Sequence, residues 1–123
     1  MIVTLSKTFR LESSHALPVV PEGHKCRRVH GHSWRITVRV KGPVDPHTGW
    51  VVDYAELTRA FEPVHAALDH RHLNDVEGLA NPTSELLAGW IWDRLAPSLD
   101  GLHSITVRET CTAACTYRGP AAG

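Results

Sequence analysis

Two segments of this chain alternate apolar and polar side chains regularly enough to predict that both are β-strands. The first runs from Ile2 to Leu17, and the second runs from about His30 to Lys41. Successive side chains of a strand point to opposite faces, so each strand should bury one face and expose the other. Odd positions are apolar in the first strand, with Lys7 as the exception, and even positions are apolar in the second.

The middle of the chain is predicted to form two helices. Asp53 begins the first, with Glu56 placed as in a capping box, and Pro63 should bend or loosen its last turn. Its inward face is predicted to carry Tyr54, Leu57, Phe61, Val64 and Leu68. Thr83 begins the second helix and Pro97 ends it. Its inward face is predicted to carry Leu86, Leu87, Trp90, Ile91 and Leu95.

A third strand is expected from about Ser104 to Cys111, and a fourth ends near Tyr117. The order β-β-α-α-β-β with alternating strands predicts an α+β fold, in which two helices cover one face of a four-stranded antiparallel sheet. A chain of 123 residues with 42% hydrophobic content suits one domain, placed at residues 1–119, with a flexible tail at 120–123. The two sheet edges need covering, for which oligomerisation is one solution.

The charge balance argues against nucleic-acid and membrane partners. Thirteen basic residues balance thirteen acidic ones, so no global field attracts a polyanion. No apolar run approaches the length of a membrane-spanning helix, and the first residues do not resemble a signal peptide. Three cysteines do not make a disulfide framework, so we expect reduced thiols and a cytoplasmic location.

Three of the nine histidines fall where they could share a metal ion. His30 and His32 are two apart on one strand and therefore project to the same side. His32 lies at one of the even, apolar positions of the second strand, and His15 lies at one of the odd, apolar positions of the first strand. Three imidazoles would leave a fourth position open, as catalytic zinc requires, although copper or nickel would also bind nitrogen ligands. The alternative is that these are ordinary core histidines with hydrogen-bond partners.

Glu109 shares its predicted strand face with Ile105 and Val107. A carboxylate among apolar residues is costly without a partner. It would therefore either pair with a neighbouring arginine or anchor a ligand that carries paired N–H donors, such as a guanidine-like heterocycle edge.

Cys26 lies four residues before His30, between Lys25 and Arg27. Neighbouring cations should favour its thiolate, which would make it a usable base or nucleophile. It could instead be a fourth zinc ligand or an inert loop cysteine. The basic cluster of Lys25, Arg27 and Arg28 is either a solvated loop or a receiver of substrate phosphates.

Asp69 and His70 follow the first helix, and a carboxylate beside an imidazole can orient and charge it for proton transfer. A helix-end histidine favoured by the dipole is the simpler interpretation. The other histidines are expected at the surface, namely His24, His47, His65, His72 and His103. Cys111 and Cys115 are expected to be packing residues.

Six segments together resemble the 6-carboxytetrahydropterin synthases of the queuosine precursor pathway, within the 6-pyruvoyltetrahydropterin synthase superfamily. They span most of the chain from Phe9 to Gly119. The segments are FRLESSHALP, EGHKCRRVHGHSW, DPHTGWVVDYAEL, LDHRHLND, NPTSELLAGWIWD and VRETCTAACTYRG. The short spacing from Cys26 to His30 resembles the bacterial queuosine branch, because pyruvoyl-forming enzymes typically place more residues there.

The resemblance implies the tunnelling fold, in which three subunits join their sheets into a barrel and two trimers stack into a homo-hexamer. It implies that zinc is bound by His15, His30 and His32, in a site between subunits. Cys26 would accept a proton, and His70 with Asp69 would relay protons. Glu109 and Thr110 would hold the pterin ring, while Lys25 and Arg27 would also contact substrate.

The implied reaction converts 7,8-dihydroneopterin triphosphate to 6-carboxy-5,6,7,8-tetrahydropterin, acetaldehyde and triphosphate. Two sister activities on the same scaffold are the alternatives, namely 6-pyruvoyl product formation and side-chain cleavage for folate synthesis. A non-catalytic, metal-stabilised pterin-binding protein is the alternative from another class. No nicotinamide is needed, because oxidation and reduction are internal to the side chain, and no GxGxxG or P-loop pattern occurs.

Overall fold

The order of helices and strands follows the prediction from the sequence. A computed structural model describes residues 1–121 of the chain. Its main elements are β1 (Ile2–His15), β2 (His30–Pro43), α1 (Tyr54–Leu68), α2 (Ser84–Leu95), β3 (Leu102–Arg108) and β4 (Ala114–Tyr117). Short 3₁₀ turns cover Lys25–Arg27, Leu73–Asp75 and Ala96–Ser98. The expected tail at 120–123 extends beyond the described residues and stays a prediction. No helix within the described part is both long enough and apolar enough to cross a membrane.

The four strands form one antiparallel sheet in the order β1-β2-β3-β4. The β1 and β2 strands pair along their whole length, ending with His15 opposite His30. This register places Leu11 opposite Trp34, so both strands bury the same face. Because the pairing is fixed over fourteen residues on each strand, it also fixes which histidines meet at its end.

Both helices pack on the apolar face of the sheet and enclose one hydrophobic core. The largest fully buried side chains include Trp34 from β2, Phe61 from α1 and Ile91 from α2. Lys7, the exception to the alternation of β1, donates from Nζ to the Thr58 hydroxyl of α1. The ammonium group of this half-buried side chain is thus hydrogen-bonded.

The α1 helix begins at its expected N-cap but lacks the reciprocal half of a capping box. The Asp53 carboxylate accepts from the backbone N–H of Ala55 at 3.0 Å. The Glu56 side chain pairs with Arg59 instead of turning back to the cap. Pro63 lies inside α1, which continues to Leu68. The proline therefore does not interrupt the helix.

Two residues predicted to face inward are exposed, and that part of the prediction was wrong. Tyr54 is 51% exposed and Leu86 is 53% exposed. Both lie in the first turn of their helix, before the segments whose buried faces begin at Leu57 and Leu87. Helical spacing alone therefore overestimated the buried face.

The β3 strand ends earlier than predicted, at Arg108 rather than Cys111. Glu109 therefore follows the strand and does not continue its buried face. Cys111 is exposed, so its expected packing role was wrong, whereas Cys115 on β4 packs against the core. The alternation of apolar residues extended the prediction past the last residue that pairs with β2, Arg108 opposite Arg35.

Candidate functional site

Three imidazoles converge where β1 and β2 end. His15 lies directly opposite His30, and His32 is two residues further along β2. The ring centroids are 4.5 Å apart for His15 and His30, 5.1 Å for His15 and His32, and 4.9 Å for His30 and His32. One nitrogen from each ring lies within 4.8 Å of the other two. The three histidines could therefore bind one metal ion.

Backbone carbonyls orient two of these rings. The Nδ1 atom of His15 is 2.7 Å from the carbonyl oxygen of Pro82, and that of His30 is 2.7 Å from the carbonyl oxygen of Arg28. A carbonyl can only accept, so Nδ1 must donate, and in a neutral imidazole Nε2 then keeps a free lone pair. Metal-binding histidines are typically held by such a hydrogen bond on the nitrogen that does not ligate.

Two of the ring nitrogens in the cluster have no hydrogen-bond partner in the described chain. The Nε2 atoms of His15 and His32 are buried and make no hydrogen bond to any residue between 1 and 121. Leaving a buried polar atom unpaired costs about 1–3 kcal/mol. A metal ion between the rings would remove this cost, so the residues present fit such an ion.

Burial keeps two of the rings in the form that binds metals. Desolvation is the main cause that lowers the pKa of His15 and of His32, and it outweighs the attraction of the Glu109 carboxylate. Trp34 contacts both rings edge-on, at centroid distances of 5.0 Å and 5.2 Å. Its Nε1 donates to the carbonyl of Ser13 at 3.2 Å, which fixes the indole beneath the histidines.

Asp69 and His70 are held against β1 immediately after α1. The Nδ1 atom of His70 is 2.8 Å from Oδ2 of Asp69. The other carboxylate oxygen accepts from the backbone N–H of Glu12 at 2.9 Å, and His70 N–H donates to the Glu12 carbonyl at 2.7 Å. The Glu12 N–H, followed by His70, holds the pKa of Asp69 below its usual range. The carboxylate therefore stays charged and orients the imidazole.

The backbone of His70 adopts a left-handed conformation, with φ at 55°. It is the only non-glycine residue with positive φ among residues 1–121. Such a conformation is uncommon for a side chain with a Cβ and costs on the order of 1–3 kcal/mol. The hydrogen bonds to β1 compensate for this cost and keep the imidazole pointing outward, where its side chain is 78% exposed.

A cleft of about 500 Å³ joins His70 to the end of the sheet where the three histidines converge. His32 and His70 both line it, together with the polar ends of β1 and β2. His72 also lines it, and its Nδ1 lies 3.0 Å from the hydroxyl of Ser14. Sequence reasoning placed His72 at the surface, but it is half-buried. Its position in HRH, two residues after His70, was the only available indication.

Glu109 lies beside the three histidines. Its Oε1 atom is 3.7 Å from Nε2 of His15 and 3.4 Å from the hydroxyl of Ser84. Within the described chain it forms no ion pair with an arginine, which was the simpler interpretation from the sequence. Glu109 and Thr110 line a second cleft of about 500 Å³, together with three arginines of the sheet.

Cys26 is half-buried in its 3₁₀ turn and lines neither of these two clefts. Its carbonyl accepts from Leu17 N–H at 2.8 Å, which ties the turn to the end of β1. Its own N–H donates to Nδ1 of His24 at 3.0 Å. The structure therefore brings the backbone of Cys26 near the chain that carries His15, without placing its thiol in a cleft with His70.

The two basic residues assigned to substrate have different surroundings. Lys25 is exposed. The guanidinium of Arg27 donates to the carbonyls of Pro18 at 3.3 Å and Val20 at 2.9 Å, and so closes its own loop. Arg27 therefore has a structural role that sequence reasoning missed.

A second imidazole faces Asp69. The Nε2 atom of His65 is 3.8 Å from Oδ2 of Asp69 and 3.2 Å from the carbonyl of Arg10. His65 was expected at the surface, and its side chain is 44% exposed. The spacing of four residues on one helix face was the available indication.

Comparison with known proteins places this site in a family. A family model described as 6-pyruvoyl tetrahydropterin synthase matches residues 4–120. The 6-carboxy-5,6,7,8-tetrahydropterin synthase of Synechocystis is 45% identical over 93% of this chain and 92% of the relative. The protein of that name from Bacillus subtilis is 32% identical over 93% of this chain and 84% of the relative.

A solved structure agrees with the fold. That of Caenorhabditis elegans 6-pyruvoyl tetrahydropterin synthase superposes with a TM-score of 0.90 at 29% identity, covering 98% of this chain and 97% of the other. The four-stranded antiparallel sheet with two helices on one face is thus the tunnelling fold predicted from the sequence. The chain belongs to the 6-pyruvoyl tetrahydropterin synthase family.

Proposed function

We propose that this protein is a zinc-dependent carbon–carbon lyase. It would convert 7,8-dihydroneopterin triphosphate to 6-carboxy-5,6,7,8-tetrahydropterin, acetaldehyde and triphosphate, in the cytoplasmic synthesis of a queuosine precursor. The observation that carries the proposal is the cluster of His15, His30 and His32, in which two buried Nε2 atoms have no partner in residues 1–121. The names of the Synechocystis and Bacillus relatives support the choice of reaction.

Zinc is the metal that this set of ligands favours. Three neutral imidazoles with an open fourth position are typical of catalytic zinc, although copper and nickel accept the same ligands. When bound, the ion would acidify the adjoining C–H and O–H groups of the substrate side chain. The carbonyls of Pro82 and Arg28 would keep two of the rings oriented before any substrate enters.

The proton transfers are assigned to Cys26 and His70. The thiolate of Cys26 would remove a proton from the substrate, and His70 would return one, with Asp69 orienting the imidazole and stabilising its charge. The hydrogen bond of 2.8 Å between His70 and Asp69 supports this pairing. Cys26 lines neither cleft in the single chain. The complete catalytic site would therefore lie between subunits of a homo-hexamer.

The ring of the substrate is assigned to Glu109 and Thr110. The pterin edge presents paired N–H donors, which a carboxylate accepts well. Glu109 lies within 3.7 Å of His15. A pterin ring bound by Glu109 would therefore place the substrate's own side chain beside the three histidines. Lys25, which is exposed, would contact the substrate together with Arg27.

The test is incubation of zinc-loaded protein with 7,8-dihydroneopterin triphosphate, followed by product mass and an acetaldehyde assay. We expect 6-carboxytetrahydropterin and acetaldehyde in equal amounts. Pyruvoyltetrahydropterin without acetaldehyde would assign the chain to the first sister activity, and cleavage of the pterin side chain without acetaldehyde would assign it to the folate-type activity. Pterin binding without turnover would leave only a metal-stabilised binding protein.

A further inference from the structure

Three arginines form a row across the solvent face of the sheet. Arg10 on β1 lies directly opposite Arg35 on β2, and Arg35 lies directly opposite Arg108 on β3. All three are exposed. Directly opposite residues have Cβ atoms about 4.5–5.5 Å apart, so the row places three positive charges across two strand spacings.

The row is unfavourable for the fold by itself. Like charges directly opposite each other destabilise a sheet. Glu12 lies 3.4 Å from Arg10 and offsets one of the charges. Among the residues that the structure describes, Arg35 and Arg108 form no ion pair. Nothing in residues 1–121 therefore explains why three arginines share one register.

The next row of the same face shows how such positions are otherwise satisfied. It consists of threonines on all four strands, at Thr8, Thr37, Thr106 and Thr116. Hydroxyl pairs join β1 to β2 at 2.9 Å and β3 to β4 at 2.8 Å. The hydroxyls of the threonine row are engaged by these pairs and by Arg39, which donates to Thr106 at 2.6 Å. The arginine row leaves most of its donors free for a ligand.

The arginine row lines the cleft that also contains Glu109 and Thr110. Ser33 lines both this cleft and the neighbouring one that contains His32 and His70. The two clefts are therefore adjacent. Together they offer a carboxylate beside the histidines and three guanidinium groups beyond it. This arrangement suits a ligand that carries N–H donors at one end and several negative charges at the other.

We propose that Arg10, Arg35 and Arg108 bind a chain of linked phosphates. Guanidinium groups contact phosphate oxygens in pairs, and two strand spacings, about 10 Å, allow several phosphates to be bound at once. The identification of these linked phosphates as the triphosphate of the substrate or of the product rests on the proposed function. Anion binding by the arginine row is independent of that function. The Arg27 guanidinium is a weaker candidate, because it already donates to two loop carbonyls.

The test is calorimetric titration of the full-length protein with inorganic triphosphate, without pterin. We expect Arg35→Gln and Arg108→Gln each to weaken binding by roughly tenfold or more, since each loses charge-assisted hydrogen bonds. Arg35→Lys should fall between Arg35→Gln and the unmodified protein, because it keeps the charge and loses the paired donors. The matched control is Arg59→Gln, an exposed arginine of α1 that pairs with Glu56, and it should bind normally.

Thermal unfolding without the anion separates binding from folding. Removing a charge from the row relieves repulsion, so Arg35→Gln should unfold at the same or a higher temperature than the unmodified protein. At the same concentration, triphosphate should raise the unfolding temperature of the variant less than that of the unmodified protein. Undiminished binding in both Gln variants, or a loss in Arg27→Gln alone, would overturn the proposal.

Two further outcomes identify the source of the phosphates. If inorganic triphosphate competes with the substrate, the row holds the phosphates of the substrate. If it binds without competing, the row is a separate polyphosphate site, and both results support an anion site. Failure of the proposed function is distinguishable, because triphosphate would then bind although no acetaldehyde forms. If acetaldehyde forms but triphosphate binding does not depend on Arg35 and Arg108, only the proposed arginine site is wrong.

Discussion

The Nε2 atom of His15 lies 3.7 Å from Oε1 of Glu109, at the point where β1 meets the loop that follows β3. His15 is almost completely buried, whereas the carboxylate side chain is 28% exposed. Burial still lowers the pKa of His15, so the ring stays neutral beside a carboxylate. One group is thus ready to bind a metal, and the other remains accessible to a ligand in the second cleft.

Removing one imidazole should remove the metal. His32→Ala is expected to weaken zinc binding by more than about tenfold, since losing even an outer-shell partner of a metal ligand typically costs 10–100-fold. The measurement is metal content of protein purified without a histidine tag, followed by zinc titration. His47→Ala is the control, because His47 is an exposed residue of the turn before α1. Equal zinc content in His32→Ala and unmodified protein would contradict the assignment.

The left-handed backbone of His70 should show in a comparison of two variants. Both His70→Gly and His70→Ala lose the imidazole and its hydrogen bond to Asp69, but only alanine keeps a Cβ at φ 55°. We expect the glycine variant to be more stable than the alanine variant by about 1 kcal/mol, measured by urea unfolding.

Both variants should also lose turnover, because neither can transfer a proton at this position. A stable His70→Ala variant with unchanged turnover would remove His70 from the proposed mechanism. If the alanine variant is as stable as the glycine variant, the backbone of residue 70 is not strained by a Cβ.

The carboxylate of Asp69 should make stability depend on pH in the acid range. Its pKa is lowered in the folded protein, first by the Glu12 N–H and then by His70, so the unfolded chain takes up a proton more readily. Its contribution is therefore complete above the unfolded value of about 3.9 and is lost as pH falls through the lowered folded value.

Urea unfolding of Asp69→Asn and of the unmodified protein between pH 2.5 and pH 6 checks this. The unmodified protein should lose more stability than the variant on acidification. Parallel curves for the two proteins would show that Asp69 does not contribute.

The N-cap of α2 is expected to support both the helix and the metal site. The Thr83 hydroxyl accepts from Leu86 N–H at 3.1 Å, and the preceding Pro82 carbonyl holds the His15 ring at 2.7 Å. Thr83→Ala should cost about 1 kcal/mol of unfolding free energy. It should also weaken zinc binding through Pro82. Thr83→Ser keeps the hydroxyl and should restore both, so failure of the serine variant to do so would exclude the cap as the cause.

Local periodicity predicted much of this structure from the sequence. The alternation along β1 and β2 determined the inward parity of His15 and His32, and helical spacing located α1 and α2. The prediction was less accurate at element ends. Tyr54 and Leu86 are exposed, although both follow the helical spacing of the buried residues, because spacing alone does not show where the buried face of a helix begins.

Contacts between distant segments depend on strand register and on loop paths, which one segment alone does not encode. The pairing of β1, β2 and β3 decided that three arginines share one row. The early end of β3 decided that Glu109 lies beside His15 rather than within a strand. Side-chain order along the chain therefore determined the candidate metal ligands and the fold class. Tertiary packing alone decided which distant groups share the clefts, because they are brought together by long-range pairing that no local pattern specifies.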